Sequence, residues 1–473
     1  MIPAFRWTGE EVSEALGLGA RPTELSFTQV STDTRSLEAG ALFVALRGER
    51  FDGHDFLTQA LERGARGVVV EDPPQAPGEA AVFQVPDTLV ALGQLARHRR
   101  RRLGWFVVGV TGSVGKTTVK ELLKAALRPR FRVHVSRANE NNRVGVPFTL
   151  LEAPEASEVV VVEMGTNEPG EIGMLTGIAE PGGGVLTTVG EAHLEGLDSV
   201  EGVLQEKLDL LRGLPDEGWA VVGDEPLELP ERARAIIEDV TVTGLSHRAD
   251  PEFRVESHTL APHGGARFRW MGREATLRLP GPSGLRNALL ALAVARRLDV
   301  APEAALAAVS QVRSPSLRGE IQELGGLTVV VDCYNANPQS MRAALDLLEA
   351  LPAPGGRVAV LGSMLELGKA TRELHLTLLQ ELQDRSLRTV VLVGTEFQEA
   401  WEGRSSDFSD RPSGPRLLFV PTVDEAEPIL DRELQGREVV LLKGSRGLEL
   451  ERLLPSLEAH GGKAGGTVGQ GGG

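Results

Sequence analysis

Residues 105–127, WFVVGVTGSVGKTTVKELLKAAL, constrain the chain most: an apolar run, a glycine-rich turn and an amphipathic helical pattern in direct succession. The run WFVVGV at 105–110 reads as a buried parallel strand. Val119, Leu122, Leu123, Ala126 and Leu127 share one face of the helix that follows. Between them TGSVGKTT supplies Thr111, Gly112, Ser113, Val114, Gly115, Lys116, Thr117 and Thr118. The two glycines let the backbone wrap a phosphate, and the amides at the helix start bind the anion. Lys116 neutralises charge and the Thr117 hydroxyl can reach magnesium. Val110 stands where the common phosphate-loop pattern has glycine, so this is a shortened variant.

A chain of 473 residues should form about three domains rather than one large core. Three compositional seams divide it: the Pro-rich DPPQAPGEA at 72–80, a segment near SPSLRG at 314–319, and the tail GGKAGGTVGQGGG at 461–473. The tail has almost nothing to bury and is expected to be disordered. Before the first seam, strand-like runs such as LFVAL at 42–46 alternate with short helical patterns. After the second, TVVVD, RVAVLG, TVVLVG and EVVLLKG alternate with helical patterns, which predicts a second α/β sheet.

Composition narrows the function classes. A formal net charge of −16 opposes long-range capture of nucleic acid or an anionic membrane, so a phosphate ligand has to be held by local geometry. The basic run Arg97–Arg102 reads as the solvated end of a helix, because it lacks interleaved aromatics. No stretch approaches the roughly 18 consecutive apolar residues of a membrane span, and MIPAFRWTGE lacks the pattern of a secretion signal. A cytoplasmic protein without membrane insertion is expected. The lone Cys333 excludes an internal disulfide, and no Cys/His spacing suggests zinc. Of the 50 basic residues only Lys116, Lys120, Lys124, Lys207, Lys369, Lys443 and Lys463 are lysine. Arginine fills the surface role, so a lysine inside a motif is informative: arginine cannot copy a titratable, nucleophilic amine.

Three further residues suggest a cation site. Glu163 follows VVVV directly, at the carboxyl end of a buried strand, where a carboxylate can hold a cation against phosphates or simply face solvent. His193 in GEAHLEG also follows a strand, although a lone histidine is more often structural. Lys207 falls on the same helical stripe as Val200, Val203, Leu204, Leu208 and Leu211, pointing inward. Burial there would lower its pKa, and the neutral amine could add carbon dioxide to become a carbamate that binds magnesium. Taken alone, the residue fits better with a lysine that snorkels its head to water.

GSVGKTT, NENNRVGVP at 139–147, VEMGTNEPGEI at 162–172, AHLEGLDS at 192–199 and Lys207 together resemble the Mur ligases of bacterial cell-wall synthesis. The likeness continues through STDTRSLEAGALFVALRGERFDGHDF at 31–56, DCYNANPQSM at 332–341, VLGSMLELG at 360–368 and LLKGSRGLE at 441–449. It implies an α/β chain of three domains. These would be a smaller N-terminal domain at 1–86 that binds a uridine nucleotide, a central phosphate-loop ATPase-type domain at 87–313 with a mostly parallel sheet, and a C-terminal Rossmann-like domain at 314–460.

By that resemblance Ser31, Asp33, Thr34, Arg35, Asn142 and Asn335 lie on the substrate side. Asn287, Arg318 and Asp332 would meet adenine, phosphate and ribose. Lys207 becomes the carbamylated lysine, which reverses the bland reading. Thr117, Glu163, His193 and Lys207 would hold Mg2+, and Lys116, Glu163, His193 and Lys207 would be catalytic. The chain departs from the family at Ser283 and Gly284 in GPSGLRN and at Val331 before Asp332.

The implied reaction is ATP-dependent ligation of D-alanyl-D-alanine to UDP-N-acetylmuramoyl-tripeptide by a monomer, through an acyl phosphate. YNANP and LGSMLELG favour this over a sister ligase that adds a single amino acid, and a nucleotide switch would give the inward lysine no role. A closing C-terminal domain would need a hinge near 312–316. Lys443 and Arg446 suit either a substrate carboxylate or a solvated loop.

Overall fold

Val107, Val108 and Val110 of the strand Phe106–Thr111 are fully shielded from solvent, which requires cover on both faces of the sheet. The computed structural model describes residues 5–19, 24–48, 51–261, 264–403 and 414–464, and it places this strand inside a six-stranded, all-parallel sheet. The order is Val240–Thr243, Trp219–Gly223, Gly183–Leu186, Phe106–Thr111, Val159–Glu163 and Val133–Val135. On one face Val108 and Val110 pack with Leu122 and Leu123 of the helix Lys116–Leu127 and with Leu289 of Gly281–Arg297. On the other, Val107 joins Leu175 of Glu171–Ala179 and Leu208 of Val200–Arg212. The phosphate loop thus leaves the carboxyl edge of an internal strand, as the sequence required.

The apolar run at 185–189 forms a shorter strand than its composition suggests, because Thr187 and Thr188 turn toward the phosphate loop. Thr187 Oγ1 donates to Val114 O at 2.6 Å and Thr188 O accepts from Ser113 N at 2.7 Å. An antiparallel three-stranded sheet, Ser257–Leu260, Gly265–Trp270 and Arg273–Pro280, was not anticipated. Its middle strand alternates buried Ala266, Phe268 and Trp270 with exposed Arg267 and Arg269.

The N-terminal segment forms a four-stranded parallel sheet of Val30–Ser31, Leu42–Val44, Gly67–Val70 and Ala81–Gln84. The Pro-rich stretch 72–80 joins the last two of these strands, so it lies within this unit and is not a boundary. Proline limits the chain to extended and turn geometry in a strand connection as readily as in a linker. The helix Thr88–Leu103 then spans the junction. Ala91, Leu92 and Leu95 enter the N-terminal core, and Ala96 enters the central one.

The basic run at the end of that helix is more than a solvated face. Arg99 is buried, lies 5.0 Å from the Trp105 ring, and donates to Leu150 O at 2.6 Å. Burial pulls its guanidinium down to about 10. Arg100 donates to Ala179 O and Glu180 O, closing the carboxyl end of Glu171–Ala179, while Arg97 and Arg101 pair with the Glu180 carboxylate.

Beyond the helix Pro302–Val309, residues 310–319 lead into the C-terminal sheet, where the hinge was expected. Its order is Glu320–Leu324, Leu327–Asp332, Val439–Lys443, Arg357–Gly362, Thr389–Val393 and Arg416–Val420, parallel except for the first strand. All four strands read from the sequence are present. The last helix, Leu454–Ala464, extends into the stretch assigned to the tail, and residues 465–473 lie outside the described residues.

Arg99→Ala is expected to cost about 2 kcal/mol by removing the ring contact and the carbonyl hydrogen bond and leaving a gap. Arg101→Ala, on the surface, should cost no more than about 0.5 kcal/mol. Thermal melts of the two variants separate these outcomes.

Candidate active site

The helix Lys116–Leu127 begins without a side-chain cap, leaving its first amides for a ligand. Gly115 sits at φ 93°, and a Cβ there would lie 2.5 Å from Asn287 Oδ1. The turn therefore requires glycine, and Asn287 is packed against the phosphate loop. Lys116 Nζ donates to Gly112 O at 2.6 Å, folding over its own loop. Burial holds its amine below the usual lysine value.

Ser113, Val114, Gly115, Lys116, Thr117 and Thr118 line one cleft of about 440 Å³ between the central and C-terminal sheets. Thr111 and Gly112 do not reach its wall. Glu163, buried at the end of its strand, faces the cleft, and its Oε1 accepts from Thr117 Oγ1 at 3.1 Å and Asn141 Nδ2 at 2.9 Å. Its Oε2 has no hydrogen-bond donor among the described residues, and the nearest cation, Lys120 Nζ, is 3.6 Å away. A buried carboxylate oxygen left open in this way is suited to a cation.

His193 lines the same cleft. Its Nδ1 approaches Glu366 Oε2 of the C-terminal domain to 2.9 Å, at ion-pair distance but out of line for a hydrogen bond. Proximity to this imidazole holds the Glu366 carboxyl below its ordinary value.

Lys207 is wholly buried, and its Nζ finds no hydrogen-bond partner among the described residues. It does not snorkel. Burial, reinforced by the nearby Lys116 charge, pushes the amine well below the ordinary lysine range. Of the stripe that predicted this, Val203, Leu204, Leu208 and Leu211 are buried, whereas Val200 is exposed at the first turn. The preceding residue, Glu206, caps the helix Glu171–Ala179 by accepting from Gly170 N and Ile172 N, each at 2.7 Å.

The C-terminal wall carries Arg318, Asp332, Asn335 and Lys443. Arg318 lies 3.8 Å from the Tyr334 ring centroid. Lys443 is buried, donates to Asn335 O and lies 3.2 Å from Asp332 Oδ2. A solvated loop is thereby ruled out for Lys443. Arg446 is exposed, pairs with Glu451 and is off the cleft wall, because it begins the short turn Arg446–Leu448 after the strand has ended. Ser283 and Gly284 line the cleft, while Val331 is core.

Asn142 lines the cleft, and its Oδ1 accepts from Val144 N and Gly145 N at the start of the helix Gly145–Glu152. Ser31, Asp33, Thr34 and Arg35 form a separate turn in the N-terminal domain. Asp33 caps Thr34–Ser36 and pairs with the exposed Arg35 at 2.7 Å, and Ser31 Oγ accepts from Asp33 N. Thr34 is buried, its hydroxyl donating to Gln59 Oε1.

Sequence reasoning missed Asn141, Lys120, Thr187 and Glu366. The scarcity of lysine was a usable signal for Lys120; the others depend on contacts between distant segments. Among the described residues, His, Cys and carboxylate groups alone converge as a possible ion-holding trio only at Glu11, Glu14 and His98, where Arg102 already pairs with Glu11. Glu163 and His193 line the cleft without forming such a trio among the described residues.

Three family models match the chain: the Mur ligase family catalytic domain over residues 26–100, the Mur ligase middle domain over 110–295, and the Mur ligase glutamate ligase domain over 318–446. The UDP-N-acetylmuramoyl-tripeptide–D-alanyl-D-alanine ligase of Bacillus subtilis is 36% identical over 434 residues, covering 90% of this chain and 92% of that protein. A crystal structure of MurF from Acinetobacter baumannii matches with a TM-score of 0.84 at 30% identity, covering 97% of this chain and all of that one. MurF from Thermotoga maritima in complex with ADP matches with a TM-score of 0.80 at 28% identity, over 92% of this chain and 98% of that one.

The lowered Lys207 pKa has a stability consequence. Between the folded and the unfolded pKa the unfolded chain binds the extra proton, so burial of this amine destabilises the fold more as the pH falls. In buffer free of carbon dioxide, Lys207→Met should be more stable than the parent at neutral pH. Denaturation at several pH values should show that advantage shrinking toward pH 10, by no more than about 1.4 kcal/mol per pH unit.

Proposed function

The chain belongs to the Mur ligase family, and on that premise we propose that it joins D-alanyl-D-alanine to UDP-N-acetylmuramoyl-tripeptide, converting ATP to ADP and phosphate and giving the UDP-linked pentapeptide precursor of peptidoglycan. The observation that carries the reading is the unpartnered, fully buried amine of Lys207 beside a phosphate loop. A carboxylate is a poor electrophile, and joining it to an amine in water needs a leaving group. Phosphorylation by ATP supplies one.

In this reading the amides of residues 112–118 cradle the triphosphate, and Lys116 swings from Gly112 O to the γ-phosphate. Asn287 lies against adenine, with Arg318 and Asp332 completing the nucleotide site from the C-terminal side. The neutral Lys207 amine adds carbon dioxide and loses a proton to become a carbamate. Thr117, Glu163, His193 and that carbamate would hold Mg2+, which when bound neutralises the repulsion between the tripeptide carboxylate and the γ-phosphate. The open Oε2 of Glu163 and the orphan Nζ of Lys207 are the features that suit such a group.

The uridine nucleotide sits against Ser31, Asp33, Thr34 and Arg35, with Asn142 and Asn335 along the peptide. Lys443 neutralises a substrate carboxylate by exchanging Asp332 for it. Attack by the dipeptide amine on the acyl phosphate forms the peptide bond and releases phosphate. Closure of the domain at 314–460 over those at 1–86 and 87–313 limits competing water. The enzyme acts as a monomer in the cytoplasm, where ATP is supplied.

Phosphate release by the purified chain should require ATP, UDP-N-acetylmuramoyl-tripeptide and D-alanyl-D-alanine together, and single amino acids should not replace the dipeptide. Lys207→Ala should lower the rate at least 100-fold, with partial recovery on adding a small carboxylate such as acetate. A Lys207→Ala enzyme of full activity would remove the proposed ligand.

A further inference from the structure

His193 and Glu366 face each other across the domain junction in unusual backbone conformations. Their φ angles are 55° and 64°, both in the left-handed region that non-glycine residues rarely occupy. The two segments are tied together through their backbones. Glu366 O accepts from Glu195 N at 3.2 Å, tying the C-terminal loop directly to the segment that carries His193. Two residues beyond Glu366, Gly368 has φ 53°, and a Cβ there would stand 2.8 Å from Glu195 Cα, so the approach of the two backbones depends on glycine.

The loop that presents Glu366 is braced inside its own domain. Met364 N donates to Nε2 of the buried His375 at 3.0 Å, and the other ring nitrogen, Nδ1, donates to Thr371 O at 2.7 Å. Leu365 N donates to Ser445 Oγ at 2.9 Å. A second tie across the junction runs from Gln339 Nε2 to Thr188 Oγ1 at 3.0 Å. This support converges on one exposed carboxylate, whose oxygen lies 2.9 Å from His193 Nδ1.

We propose that Glu366 is a positioning residue: docking of the C-terminal domain brings its carboxylate to Nδ1 of His193, orienting the imidazole so that Nε2 is left for the cation site of the central domain. The proposal rests on the cation site assigned above and adds a dependence of that site on domain closure. A carboxylate on the far nitrogen of a ligating histidine fixes ring orientation and tautomer, and losing one typically costs 10- to 100-fold in metal affinity or activity. Closure and orientation of the His193 ring become one event, so a chain with its domains apart keeps all its ligands but leaves that imidazole unoriented and does not spend ATP on water.

The test uses the full chain with ADP and Mn2+ as the probe, following bound Mn2+ by electron paramagnetic resonance, alongside the phosphate-release assay at varied Mg2+. In Glu366→Ala, Mn2+ affinity should fall about 10-fold or more, and half-saturating Mg2+ should rise with it. Glu366→Gln, which keeps an acceptor oxygen, should recover part of both. In a His193→Ala background, Glu366→Ala should add nothing.

Unchanged Mn2+ affinity in Glu366→Ala overturns the proposal. So does an equal loss with and without His193, which would make Glu366 a prop for its own loop. If the parent chain binds Mn2+ with ADP but releases no phosphate in the presence of the dipeptide, the assigned reaction fails while the Mn2+ comparison still decides the role of Glu366.

Discussion

A lysine amine buried without a hydrogen-bond partner, close to the charge of Lys116, is the constraint that most sets the chemistry beside the cleft. Lys207 is held there by the apolar stripe of its own helix, and the cheapest relief is loss of its proton. The charges of Glu206 and Glu171 offset this only in part. Glu206 has committed its oxygens to the amides of Gly170 and Ile172, and Lys116 adds like charge. The result is a nucleophilic amine beside a phosphate-binding turn, a pairing that a merely structural lysine would not need.

The surrounding architecture keeps that pairing in register. The phosphate loop is laced to the neighbouring strand end through Thr187 and Thr188, and Glu163 is held by Thr117 and Asn141. These ties join the carboxyl ends of four strands of one parallel sheet. The C-terminal sheet then contributes the opposite wall, with Arg318, Asp332 and Lys443 brought in by a separate set of strands. Neither sheet alone contains the whole site.

What was legible in the sequence was what rests on local pattern. Continuous valine runs marked the strands ending at Thr111 and Glu163, and helical spacing turned Lys207 inward before any neighbour was known. Spacing could not show whether the lysine head reached water, since that depends on what covers it. Pro-rich 72–80 misled because strand connections and domain linkers share a composition. The strand Gly265–Trp270 was overlooked despite its two-residue alternation, since arginines at its exposed positions dilute the apolar signal. Lys443 and Arg446 stand three residues apart in one motif yet part company because the strand ends between them. Glu366 was beyond reach because its meaning lies in a contact with residue 193.

Arg318 rests on the ring of Tyr334, the one tyrosine in the chain, and both line the cleft from the C-terminal side. The protein thus carries a single phenol, on the wall of the cleft between its central and C-terminal sheets. Fluorotyrosine incorporated during expression would give one resonance for the whole molecule, and its chemical shift would report any change in the contact between guanidinium and ring when a ligand enters the cleft.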